Sequence, residues 1–424
     1  MPVSPELSGR YAAILNAELV PAMGCTEPIS IAYAAAKARE VLGCAPERAE
    51  LIVSNNIIKN VKSVVVPNTG GLKGLEAAVA AGAAAGNASR VLEVISSVDD
   101  EGRRAIAEFL NDVPIRVTPA DGDEVFDILV DLRAGEDSAR VRITSCHTNI
   151  VLIEKNGTPL YEGDPQTDES HPEGYDELNV RDILEYAETC CLDPVRDALE
   201  RQIAYNTAIS EEGLTGRWGA AVGKTLLAMY GDDVMIRARA AAAAGSDARM
   251  SGCDKPVIIN SGSGNQGMTA SLPVIVYARE LGKSREELLR GLVLSNLLTI
   301  HLKTGIGRLS AYCGAVCAGC ASGAAIAWLN GGGYAEITHT LVNSLAVVSG
   351  IVCDGAKPSC AAKIASAVDA GLLGWQMYCH GTQFYGGDGI VEKGVEETIR
   401  TVGRLGREGM RDTDREIILI MTES

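Results

Sequence analysis

Cysteine and glycine spacing carries most of the chemistry legible in this 424-residue chain. In Cys353-Asp354-Gly355-Ala356-Lys357-Pro358-Ser359-Cys360, two cysteines stand at the ends of a Gly/Pro turn that follows an uncharged run, 337–353. Such a turn lets both thiols leave the helix axis and converge on one point, and Lys357 with the loop amides favours thiolate. With a third cysteine from the small-residue segment upstream, the pair could hold an iron–sulfur cluster by three corners, leaving one iron open as a Lewis acid. Ordinary core thiols are the competing reading, because two cysteines at this separation arise by chance in a chain that has twelve.

Two further motifs need weighing. Cys313-Gly-Ala-Val-Cys317-Ala-Gly-Cys320 has the CxxxCxxC spacing of radical S-adenosylmethionine enzymes. Here Ala and Gly fill the gaps and an uncharged stretch follows, so the segment reads as helix with the three thiols on one face. Three thiols so placed have trouble converging on one cubane, and we set the radical reading aside. Gly262-Ser263-Gly264-Asn265-Gln266-Gly267 matches GxGxxG after the strand-like 257–260. A dinucleotide site also needs an acidic residue about 20 positions on, at the end of a second strand. No β-rich run follows before Leu292. The segment is better read as a glycine turn opening a helix, with exposed amides and Ser261, Ser263 and Asn265 suited to a carboxylate.

The elements that must position these residues fall into three stretches. Residues 1–89 read as the helical N-terminal part of a catalytic core, interrupted at Pro21-Ala22-Met23-Gly24-Cys25-Thr26-Glu27-Pro28. Residues 90–165 read as an inserted α/β domain, with strand patterns at 91–95, 115–118, 126–132, 139–145 and 150–154 and a helix at 100–110. A polar linker is expected at 163–177, and 178–424 reads as the helical remainder of the core. The expected fold class is therefore α+β, a mainly helical catalytic core carrying a small α/β insertion.

Composition excludes several partners. A formal charge of -17 argues against nucleic acid, whose phosphates demand Lys and Arg clusters. The best membrane-span candidate, 311–329, is rich in Ala, Gly, Cys and Ser and reads as a buried helix, so no membrane association is expected. Twelve cysteines behind a start with neither a basic nor an apolar leader point to a reducing, cytoplasmic setting. Cys44, Cys190, Cys191, Cys253 and Cys379 read as structural.

The Cys353–Cys360 run, followed by an Ala-rich helix, resembles the cysteine pair of iron–sulfur L-serine dehydratases. Cys313 resembles their upstream ligand, and 261–273 their substrate-binding segment. The closer likeness, over nearly the whole chain, is to the L-cysteine desulfidase family. It includes Gly24-Cys25-Thr26-Glu27-Pro28, Asn55-Asn56-Ile57-Ile58-Lys59-Asn60, Cys146-His147-Thr148-Asn149 and the Gly-Asn-Gln-Gly segment. The resemblance implies a [4Fe–4S] cluster on Cys313, Cys353 and Cys360. It also implies conversion of L-cysteine to pyruvate, ammonia and sulfide without pyridoxal phosphate. A shorter gap between the last two cysteines, and the extra Cys25, set this chain apart from the serine dehydratases.

Under that reading Ser261, Ser263 and Asn265 contact substrate, with Asn55, Asn56, Lys59 and Asn60 as second candidates. Cys25 is a candidate base, transient fourth iron ligand or sulfide carrier, and His147 is the histidine most suited to catalysis. The expected partner is a small amino acid, and the expected assembly a homodimer. Two alternatives stay open: a serine or threonine dehydratase using the same cluster, and a cluster-free protein that holds an anionic metabolite on the Gly-rich loop.

Overall fold

The computed structural model describes residues 3–122, 124–164, 174–307 and 309–423. The N-terminal third comprises α1 (Pro5–Glu18), β1 (Pro21–Met23), α2 (Thr26–Leu42), β2 (Arg48–Val53), α3 (Asn55–Val61), α4 (Gly74–Ala80) and α5 (Asp100–Asp112). Five strands follow: β3 (Ile115–Pro119), β4 (Asp127–Ala134), β5 (Asp137–Thr144), β6 (Ile150–Lys155) and β7 (Thr158–Glu162). The rest is helical apart from β8 (Pro256–Ile258). It comprises α6 (Val180–Thr189), α7 (Asp193–Thr215), α8 (Val222–Tyr230), α9 (Val234–Met250), α10 (Gly264–Glu280), α11 (Arg285–Thr304), α12 (Gly314–Leu329), α13 (Tyr334–Val348), α14 (Cys360–Cys379), α15 (Val395–Arg404) and α16 (Arg411–Glu423). The chain is α+β and mainly helical, as expected. No helix among the described residues is long and apolar enough to cross a membrane.

The helix starts follow local chemistry. Ser4, Asp99, Asn179 and Asp233 each accept a backbone N–H from the first turn of the helix they precede. Ser284 and Glu287 form a reciprocal capping box on α11.

The sheet runs β3-β2-β4-β5-β6-β7, parallel only between β2 and β3. Leu51, Val53, Ile128, Val130, Leu132, Val141 and Ile143 are all buried, and α2 packs across β4 and β5. This corrects the boundary at residue 90. β2 is an inner strand paired on both sides, so the sheet recruits 48–53 from the N-terminal part and the 90–165 stretch does not close on itself. The strand expected at 91–95 is instead a short 3-10 turn, Ala88–Glu93, with Val91 at φ 51°. β2 occupies the sheet position beside β3 that such a strand would need. Most of the expected linker, 165–173, lies outside the described residues.

The helical core is organised around α12, which α10, α11, α13 and α14 surround. Its residues from Ala315 to Ala327 are buried and uncharged. α12 and α14 meet backbone to backbone: a Cβ on Gly319 would lie 2.4 Å from the Ala367 carbonyl carbon, and one on Gly323 would lie 2.5 Å from that of Gly371. Both partners advance by four residues together, so the two helices run parallel with their N-termini side by side. Gly319→Ala should therefore destabilise the fold by about 1–3 kcal/mol through forced separation of the pair. Urea unfolding monitored by far-UV circular dichroism reads this directly, and an unchanged midpoint would show that the contact is not tight.

Candidate active site

One cavity gathers residues from seven helices and two loops. The start of α2 supplies Cys25, Thr26 and Glu27, and the end of α3 supplies Lys59 and Asn60. Arg249 enters from α9, Ser263, Asn265 and Gln266 from the start of α10, and Lys303 from α11. Tyr312 and Cys313 precede α12, Cys353 and Gly355 come from the loop after α13, and Cys360 opens α14.

The three cysteines meet for two reasons. The parallel register of α12 and α14 brings Cys313, the residue before α12, level with the start of α14, where Cys360 sits. Cys353 is held by a short antiparallel bridge. The Cys353 amide donates to the Ala311 carbonyl at 2.6 Å and the Cys313 amide to the Ile351 carbonyl at 3.1 Å, with Tyr312 opposite Val352. Cys313 thus caps its helix instead of lying on its face. Cys317 and Cys320 do lie within the helix, pushed up to about 11 and about 12 by burial, as packed thiols.

Burial raises the Cys313 thiol strongly, and the neighbouring Cys353 and Cys360 raise it further. Cys360 is raised by burial too; the Lys357 amide, which donates to its Sγ at 3.4 Å, offsets part of this and Cys353 adds to it. These thiols oppose one another's ionisation, and a bound cation is what ionises a coordinating thiol outright. Among the described residues no three Cys, His, Asp or Glu side chains close on a single ion. Three soft sulfur donors around a shared cavity are of the type that binds soft transition metals and iron–sulfur groups.

Four helices, α2, α10, α12 and α14, turn their N-termini to this cavity. On α2, α12 and α14 the residue before the helix makes no side-chain capping bond, although at α14 the first N–H groups donate to the carbonyls of 357–359. Each such end favours an anion by about 0.3–1 kcal/mol. Burial lowers the Lys357 ammonium, partly offset by Asp354 and the nearby cysteines.

Cys25 and Glu27 form the proton-bearing pair. Cys25 Sγ donates to Glu27 Oε2 at 2.9 Å, Thr26 Oγ1 donates to the same oxygen at 3.2 Å, and Asn60 Nδ2 donates to Oε1 at 2.9 Å. Burial pushes the Cys25 thiol well up, the Glu27 charge adds to this, and Arg249 opposes it. Burial alone would raise Glu27, yet His147, the Cys25 hydrogen bond and Arg249 together hold it below the usual carboxylate range.

Of the residues singled out in the sequence, Cys25, Lys59, Asn60, Ser263, Asn265, Cys313, Cys353 and Cys360 line the cavity. Four do not. Asn55 and Asn56 begin α3, away from the cavity that its other end reaches. Ser261 adopts φ 49° and turns its hydroxyl onto Asn260 Oδ1 at 2.8 Å. His147 stands behind Glu27, its ring edge-on to Phe126 at 4.9 Å, while its carbonyl accepts from Ser30 on α2. Cys190 and Cys253 are buried, whereas Cys44, Cys191 and Cys379 are exposed and fill no core position.

Sequence reasoning passed over Glu27, Arg249, Gln266 and Lys303. Glu27 and Gln266 stood inside quoted motifs, but Arg249 and Lys303 carried no signal. Nor did anything foretell that the buried Lys59 ammonium pairs with Asp414 of the last helix at 2.5 Å.

Comparison with known proteins follows the same lines. A family model described as the serine dehydratase alpha chain matches residues 89–419. The UPF0597 protein of Desulfitobacterium hafniense (strain Y51) is 59% identical, over 97% of this chain and 96% of its own. That of Finegoldia magna is 50% identical over 97% and 99%, and UPF0597 protein BF3560 of Bacteroides fragilis is 39% identical over 97% of both.

The raised Cys25 thiol has a measurable consequence. Only thiolate is alkylated, so iodoacetamide should label Cys25 slowly near neutral pH and faster only as the pH rises well past an ordinary thiol's. Glu27→Gln removes a charge that opposes the thiolate and should move the rate profile to lower pH. Mass spectrometry of the Cys25 peptide in cluster-free protein follows the rate; an unmoved profile would show that Glu27 does not govern the thiol.

Proposed function

The chain belongs to the serine dehydratase alpha-chain family, and from that premise we propose that it eliminates the β-substituent of a small L-amino acid on a [4Fe–4S] cluster held by Cys313, Cys353 and Cys360. The observation that supports this most is the meeting of those three cysteines, from separate segments, on one cavity that also holds a thiol–carboxylate proton pair and four helix N-termini. A cluster bound by three cysteines would supply a Lewis acid for the substrate carboxylate and leaving group.

The chain's own groups account for the remaining requirements. Ser263, Asn265, Lys59 and Asn60 offer contacts to the polar ends of the substrate. Glu27, held ionised, would accept the Cα proton, and the Cys25 thiol hydrogen-bonded to its Oε2 would give a proton to the leaving group, the proton on Glu27 then returning to Cys25 along the same pair. His147 does not touch substrate in this scheme; it acts on Glu27, helping to hold that carboxyl below the usual carboxylate range. The aminoacrylate released needs only tautomerisation and one water to become pyruvate and ammonia.

L-Cysteine is the substrate we place first, with sulfide as co-product. The description of the matching family favours L-serine as the second reading, in which water leaves instead. Anaerobic reconstitution separates the possibilities. We expect wild-type protein to retain iron and sulfide and to form pyruvate from L-cysteine about tenfold faster than from L-serine. Cys353→Ala should lose the iron and fall to background, whereas Cys320→Ala should keep both. Faster turnover of serine would overturn the choice of substrate. A wild type that is iron-free, forms no pyruvate and still binds an anionic metabolite would overturn the enzymatic reading.

A further inference from the structure

Arg249 ends α9, where an alanine run, 240–244, gives way to Gly245-Ser246-Asp247-Ala248-Arg249. It is 3% exposed and lines the cavity. Among the described residues its guanidinium makes no hydrogen bond or ion pair, and its Nε is buried with no partner. Burying an uncompensated charge costs several kcal/mol, and buried polar groups are as a rule completed by something. Glu27 feels the Arg249 charge but makes no hydrogen bond or ion pair with it; its oxygens accept from Asn60, Cys25 and Thr26 instead. The guanidinium packs closely on Gly264: a Cβ there would lie 2.5 Å from Arg249 Nε and would have to displace it.

The same cavity carries the opposite deficit. Asn60 Oδ1, Asn265 Oδ1 and Gln266 Oε1 are buried acceptors with no donor. For Asn60 the orientation follows from chemistry, since its Nδ2 must donate to the Glu27 carboxylate and Oδ1 is the end left over. One unpaired guanidinium and three unpaired oxygens are the complement of a carboxylate and an ammonium, which itself carries three donors.

We propose that Arg249 is the specificity-determining residue that takes the substrate's α-carboxylate, while Asn60, Asn265 and Gln266 receive its ammonium, so that the cavity selects free α-amino acids over their amides. This rests on the amino-acid elimination reading and names the residue that enforces it. The planar fork of Arg249 pairs with a carboxylate through two parallel hydrogen bonds, which a carboxamide cannot reproduce.

The test uses L-alanine, an inert amino acid without a leaving group, and L-alaninamide, both titrated calorimetrically into anaerobically reconstituted protein. Wild type should bind L-alanine about 100-fold more tightly than the amide, as a site built around a buried polar group discriminates. Arg249→Gln should shrink that ratio to about threefold, raise KM for L-cysteine far more than it lowers kcat, and leave the iron content unchanged. Arg249→Lys keeps the charge without the fork and should lie between, at about tenfold; it also serves if the glutamine variant does not fold. A variant that keeps the wild-type ratio overturns the assignment while the elimination reading stands. So does one that sheds iron yet discriminates normally, which would make Arg249 a counter-charge to the cluster. A wild type that binds neither ligand and makes no pyruvate sinks both.

Discussion

The backbone contact between α12 and α14 is the constraint on which the rest depends. Two parallel helices can approach this closely only where side chains vanish, and Gly319, Gly323 and Gly371 provide that at successive turns. Parallel packing leaves two N-termini at the same level, which is where Cys313 and Cys360 stand. The loop carrying Cys353 then has only to pair with 311–313 to complete the triangle. The surrounding helices α10, α11 and α13 shield this pair from water and bring Gln266 and Lys303 to the same wall.

A second consequence is electrostatic. Helix ends without side-chain caps, buried cations and Glu27 sit together away from bulk water, so each charge is felt strongly. Burial and the neighbouring thiols raise Cys313 and Cys360 in spite of the positive surroundings. The site is therefore poised rather than satisfied: four buried polar atoms without a partner, on Asn60, Arg249, Asn265 and Gln266, meet on this one cavity. Such concentration of local cost is typical of functional sites in an otherwise consistent fold.

Much of this was legible in the sequence wherever the signal was local. Pro21, Gly24 and Pro28 marked the break between α1 and α2, and the uncharged 311–329 stretch became the buried α12. The Gly/Pro turn at 353–360 likewise left two thiols off the helix axis, as its composition required. What failed was non-local. Nothing within 48–53 states that it pairs between β3 and β4, and β-branched residues at 91–95 read as strand although the sheet offered them no position. Proximity in a motif also misled: Ser261 and His147 sit beside cavity residues, but a left-handed backbone turns the first away and the second faces Phe126. Arg249 was invisible because an arginine in an alanine-rich helix looks the same whether it points to water or to a cavity.

The tie between Lys59 and Asp414 sets a timetable for making the protein. Lys59 leaves the ribosome 355 residues before its partner Asp414, so this part of the cavity wall is completed late in synthesis. At about 10 residues per second, Cys25 waits about half a minute for Cys360, and Lys59 waits slightly longer for Asp414. Through that interval the N-terminal strands and helices hold an unfinished binding site whose exposed thiols have no shared cavity to face. Iron reaching the chain during translation would meet at most two of the three cysteines until α14 emerges.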